Sequence, residues 1–221
     1  MRVCFDLTSM SRHYRGMTYS AIKSGLIAGA FAALLVVVPV GIVLAQSGDT
    51  GEKGLEEEVR SGADVIESLL NRLHDAEDIQ TAGILEEAIL RAWLVSGSET
   101  IDLLMSRTVI AMREDDLPLA LDFCNAIVDL APEFSEGWNK RATVLYMLKD
   151  FRGSLDDVER TLELEPRHFG ALSGLGLILL ELGNQAGALK AFRLALDVHP
   201  FLENARKSVE RLELEVEGRG I

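Results

Sequence analysis

LSGLGLILLELGNQAGALKAFRLALDVHP, residues 172–200, is the stretch that decides the fold. Leu172, Leu175, Gly176 and Leu179 spell L-x-x-L-G-x-x-L, and Ala188, Phe192 and Pro200 follow at set distances. Moving back 34 residues, the same slots hold Trp138, Arg141, Ala142 and Leu145, then Ser154, Val158 and Pro166. One step earlier they hold Leu104, Arg107, Thr108 and Ala111, then Ala120, Cys124 and Pro132. Three of the chain's five prolines therefore fall on one grid. A fixed period of this size marks stacked helical hairpins. The closing proline suits a point where one helix has ended and the next has not begun, because it cannot continue a helix interior.

The pattern resembles the tetratricopeptide repeat. The resemblance covers residues 101–202 and implies an all-α fold, an alpha-alpha superhelix of three repeats at 101–134, 135–168 and 169–202. The two helices of a repeat must approach closely. Gly176, Ala142 and Thr108 on the first helix, and Ala188, Ser154 and Ala120 on the second, are small enough to permit it. Trp138, Phe192, Val158 and Leu172 fill the space around that contact. Thr108 and Cys124 depart from the family pattern, as do Arg107 and Arg141 where it prefers Leu.

Composition agrees with helix stacking: 48% of residues are hydrophobic but only 6% are aromatic. Net charge is −13, and the first 45 residues carry four basic side chains and one acid, so the remainder holds −16. So acidic a body lacks the basic footprint that nucleic-acid phosphates require. It is equally unsuited to docking on anionic lipid. Of the two cysteines, Cys4 lies ahead of an apolar run and Cys124 sits at a core-facing slot, where it is expected as a small buried residue.

Arg2, Arg12, Arg15 and Lys23 precede a segment, Ser24 to Gly48, without charge, and acids follow it. Residues 1–45 therefore form a signal peptide or signal anchor, its apolar part expected as a leader helix, with the body outside the cytoplasm. Two readings stand. Val43-Leu44-Ala45 suits a cleavage site before Gln46, with Met17 as an alternative start and a soluble periplasmic product. Alternatively, residues 24–45 are long enough to span the inner membrane, and Gly25, Gly29 and Ala33 stand four apart as in paired spans. No lipobox-like cysteine stands at the end of the run to take a lipid.

Residues 46–62 form a Gly-rich polar linker. Residues 63–97 are expected to form a divergent helical-hairpin cap ahead of the first repeat. Val65, Ile66, Leu69, Leu70 and Leu73 make one stripe; Ile84, Leu85, Ala88, Ile89, Ala92 and Trp93 make the other. Continued backward, the grid puts Glu86 where a small residue belongs. Ser98 or Thr100 is placed to cap the first repeat helix. A C-terminal capping helix over 203–217 has Ala205, Val209, Leu212 and Val216 on one face and charge elsewhere, as a terminal unit needs.

Catalytic signatures are lacking. Neither a Gly-rich phosphate loop nor a G-x-S-x-G elbow occurs, and no cofactor is implied. His74 and Asp78 stand four apart, but two ligands do not define a metal site. His168 and His199 flank Pro166 and Pro200 and are expected at the surface. The resemblance implies that the inner face of the first helices holds a peptide or a partner helix. Carried over, those positions are Asp102, Met105, Val109 and Met112; Glu136, Asn139, Thr143 and Tyr146; and Gly170, Ser173, Leu177 and Leu180. One variant of the family clamps chaperone carboxylate tails with Lys, Asn and Arg. The matching slots here are Met105, Val109, Lys140, Gly170 and Gly174, of which only Lys140 suits. The expected function is a non-catalytic interaction module of the cell envelope that binds another protein or peptide. A self-associating, membrane-tethered scaffold and a metal-dependent enzyme using His74 are the rival readings.

Overall fold

The turn inside each repeat rests on one residue with left-handed backbone. Asp115, Lys149 and Gly183 have φ of 60°, 63° and 75°, and they occupy the same slot of successive units. The next residue then caps a helix: Asp116, Asp150 and Asn184 accept the N–H of Leu119, Gly153 and Gly187. A left-handed Asp or Lys is strained, so the turn geometry is imposed by the packing of the helices it joins.

The computed structural model describes residue 62, residues 64–216 and residue 218. The leader, the linker up to residue 61 and the side chain of Val216 lie outside the described residues. Among the described residues the regular structure is helical, with no strand. The elements are α1 (64–74), α2 (Ile79–Trp93), α3 (Glu99–Arg113), α4 (Leu117–Leu130), α5 (Ser135–Met147), α6 (Phe151–Leu164), α7 (Phe169–Glu181), α8 (Gln185–Val198) and α9 (Glu203–Val216). The pairs α3–α4, α5–α6 and α7–α8 are the three expected repeats.

Small residues set the spacing within each pair. A Cβ on Gly176 would lie 2.6 Å from the ring of buried Phe192, so the two backbones close onto one aromatic ring. Between α5 and α6 the approach lets the Ser154 hydroxyl donate to the Ala142 carbonyl at 2.7 Å. The contact between units is as tight: a Cβ on Gly137 of α5 would meet Ile127 of α4 at 2.7 Å. The Arg141 departure is also explained. Its Nε and Nη2 donate to the two carboxylate oxygens of Asp157, each at 2.7 Å, and its guanidinium lies 4.8 Å from the Trp138 ring centre. A charge in this slot is tolerated because its own hairpin supplies a bidentate counter-ion.

The amino-terminal hairpin corrects the sequence reading. Asp78 caps α2 by accepting the N–H groups of Gln80 and Thr81. The hairpin forms as expected but does not stack on the first repeat. Leu70, Leu73, Ala82, Leu85, Ile89 and Trp93 form one core with Phe169 of α7, flanked by Val198, Phe201 and Leu202. Polar contacts fix the placement: His74 Nδ1–H donates to the Asp197 carbonyl, and Arg167 bridges Glu67 and Asn71. Val65 and Ile84, assigned to the apolar stripes, are exposed instead. The reason is that α2 turns Ala82, Leu85, Ile89 and Trp93 inward, which points Ile84 outward. At the other end, Ala205 and Leu212 of α9 are buried as expected.

Gly176→Ala tests the close contact. Alanine gains about 1 kcal/mol of helix propensity over glycine, whereas overpacking a filled core costs about 1–3 kcal/mol. With the ring only 2.6 Å away, the expected net result is destabilisation, seen as a lower urea midpoint. In a Phe192→Leu background the same alanine is expected to stabilise. A higher midpoint for the single variant would show that the ring has room to move.

Candidate partner-binding groove

Among the described residues, the helices leave a cleft open between α5, α6 and α7. Asn139, Thr143 and Tyr146 line it from α5, Val158 from α6, and Gly170, Gly174 and Leu177 from α7, with Ala142, Ser154 and Ile178 at its base. It is open to solvent and holds a cavity of about 90 Å³. Two glycines one helical turn apart explain it. A Cβ on Gly174 would meet nothing within 4 Å, and one on Gly170 would meet only the His168 ring.

Of the sequence-assigned positions, Asn139, Thr143, Tyr146, Gly170 and Leu177 come together here. The Tyr146 hydroxyl donates to Glu181 at 3.4 Å, its ring packs edge-on to Phe151, and burial beside Glu181 raises its pKa. Ser173 and Leu180 are half-buried on α7, outside the lining. The α3 positions are elsewhere. Met105 is buried with Ile101 and Ile127 because its long, flexible side chain fills the gap between α3 and α4. Met112 packs against the cluster of Ala111, Ala120, Cys124 and Val144. Val109 is half-buried. Asp102 is tied into the turn before α3, where its carboxylate accepts the Ser96 N–H and hydroxyl. Ser98 occupies the cap position without a side-chain cap bond.

Glu136 and His168 correct the reading most sharply. Both were expected at the surface, and both are buried, His168 to 1% exposure. His168 Nδ1 accepts the Ala171 N–H and caps α7. Its other nitrogen, Nε2, therefore carries the proton and donates to Glu136 at 3.0 Å. Trp93 stacks flat on the same imidazole, with centroids 3.9 Å apart. Lys140 pairs with Glu136 at 3.0 Å and Asn139 donates to it at 2.8 Å. The lysine that resembled a carboxylate clamp is thus neutralised from within. His199 is likewise buried, its Nε2 against Glu86 and its ring edge-on to Phe169. Turn positions beside proline look solvated in sequence; here α2 covers both.

Cys124 is buried as expected, and burial raises its thiol pKa to about 11, which disfavours the reactive thiolate. His74 and Asp78 serve the hairpin in separate places. Among the described residues no group of three His, Cys, Asp or Glu side chains is arranged to hold a metal ion.

A tetratricopeptide repeat profile matches residues 139–203. The chain is 34% identical over 195 residues to a TPR repeat-containing protein of Rhizobium etli, covering 85% of this chain and 96% of that one. The chain belongs to the tetratricopeptide repeat family. Solved TPR domains share the fold at lower identity. The Arabidopsis OM64 TPR domain superposes with a TM-score of 0.52 at 19% identity, over 53% of this chain and 98% of that one. The Sgt2 TPR domain from Aspergillus fumigatus gives 0.53 at 20%, over 56% and 84%. The first TPR of Spaghetti (RPAP3), solved with an HSP90 peptide, gives 0.52 at 18%, over 54% and 95%.

The Glu136 knot predicts an acid response. Burial pushes the carboxyl up, but His168, Lys140 and Asn139 together pull it from 4.5 down to about 2. A depressed carboxylate contributes stability above its unfolded pKa and loses it as pH falls toward the folded one. The urea midpoint of the full chain is therefore expected to drop more steeply from about pH 5 to pH 3 than that of Glu136→Gln. Parallel slopes would show that the folded protein does not hold this carboxylate.

Proposed function

We propose that the chain is a non-catalytic docking protein of the cell envelope, which holds a peptide or helix of another envelope protein in the cleft between α5, α6 and α7. The observation that carries this reading is the pair Gly170 and Gly174. Together they open a mostly apolar trough beside Asn139, Thr143, Tyr146 and Leu177, and a Cβ at Gly174 would meet nothing within 4 Å. No cation lines the trough among the described residues, and Lys140, next to Asn139 on α5, is already paired. The trough therefore favours an uncharged, apolar segment with a few hydrogen-bonding groups over an acidic tail. Membership of a repeat family whose stacked helices form extended binding surfaces supports the same reading. Export is supported by the basic flank and apolar run of residues 1–45; among the described residues no helix is long and apolar enough to cross a membrane.

Gly174→Phe separates binding from folding. Because the position faces open space, the ring is expected to fill the trough at no cost to the thermal midpoint. A photoreactive residue at Thr143 in the full-length chain, expressed in its own cells, is expected to give a defined adduct that Gly174→Phe abolishes. Persistence of that adduct in the filled variant would remove the trough as the binding site.

A further inference from the structure

The three repeats present the same helix face in two different states. On α5, Gly137 and Val144 face the preceding repeat and are buried; on α7, Ala171 and Ile178 do the same. In each case the cover is the second helix of the unit before: α4 over α5, α6 over α7. The matching residues of α3 are Leu103 and Ile110, with Arg107 between them, and these are 57% and 45% exposed for the two apolar side chains. The helix that would cover them is α2, which stands at the right place in the chain but is folded onto the third repeat through Trp93 and Phe169.

We propose that this face of α3 binds an α-helix of a partner protein, which continues the stack in the place of the missing preceding helix. The chain's own repeats define what such a helix must offer. Against α5, α4 sets Ile127 on Gly137, and Ala120 and Cys124 in the cluster that holds Val144, all apolar at helical spacing, with Asn125 accepting from Arg141 Nη1 at 3.2 Å. Arg107 is the counterpart of Arg141, but Phe123 stands where Arg141 finds Asp157, so the arginine is left for an acceptor on the incoming helix. The partner helix is therefore small and apolar along one stripe, with an amide or carboxylate beside it.

Two other occupants fit less well. Docked as a regular second helix, α2 would bring Glu86 to the place of Ala120, which is fully buried; a carboxylate has no room there. A second copy pairing through the same face would set Arg107 against Arg107. Nor does the far end of another copy match, since the outer side of α9 carries Glu203, Lys207, Glu210 and Arg211.

The test uses a fluorescein-labelled, hydrocarbon-stapled helix of residues 116–131 as the probe, titrated with the full chain and read by anisotropy. Saturable binding is expected. The double variant Leu103→Glu/Ile110→Glu should weaken it at least about tenfold with an unchanged thermal midpoint, because both side chains are exposed in the free protein. Arg107→Glu should weaken the probe and prefer one carrying Asn125→Lys. Gly174→Phe should leave binding unaltered, which separates this face from the trough. No saturation, or equal binding by the double variant, overturns the proposal. So does concentration-dependent dimerisation in sedimentation that the double variant abolishes, because it assigns the face to a second copy.

Discussion

The buried imidazole of His168 is the contact on which the arrangement depends. It caps α7, hydrogen-bonds to Glu136 on α5, and carries the indole of Trp93 on its face. Three elements distant in sequence meet at one ring, and each interaction needs the ring in the same place and tautomer. A neutral histidine can do this because one nitrogen accepts while the other donates. Buried polar groups are costly unless satisfied, and here the satisfaction is mutual: the carboxylate that would be stranded accepts from the imidazole N–H and the Asn139 amide and pairs with the lysine. That network draws the amino-terminal hairpin across the third repeat.

Much of the fold was legible because its determinants are local and periodic. The prolines gave the unit length, and the small residues gave the contact that the structure realises between Gly176 and Phe192 and between Ser154 and Ala142. The left-handed turn residues were not legible at Asp115 and Lys149, which lack a glycine to mark them. Gly137 was also passed over; its role is contact with the preceding repeat, which a pattern confined to one unit does not show.

The groove was legible only in part. Asn139, Thr143, Tyr146 and Leu177 line the cleft because the register of their helices puts them there, and that register could be read from the repeat pattern. Met105 and Glu136 have the same nominal positions, but their fate is set by neighbours far away in sequence: Ile127 for the first, His168 for the second. The docking of the hairpin was not legible at all. An amphipathic stripe states that a helix will bury one face, not against what. The clue lay in Glu86, which disqualified α2 from the regular stack without saying where it would go.

In a linear array each repeat is stabilised by itself and by its contacts with neighbours. The third repeat has neighbours on several sides: α6, α9 and the displaced hairpin. Among the described residues, the helix that the first packs against from outside itself is α5 of the second. The two ends of the stack are consequently different in kind. At the carboxyl end a helix with Ala205 and Leu212 turned inward and charge turned outward closes the array. At the amino end Leu103 and Ile110 are left in water although the residues that repeat them along the chain are sealed. Exposed single leucines are ordinary on protein surfaces. A row that is buried in two copies and bare in the third is different, because the same sequence logic that closed the others has been left without its covering helix. The hairpin's preference for the third repeat thus does two things with one set of contacts: it covers the turn edge around His168 and His199, and it leaves the leading face of the array uncovered.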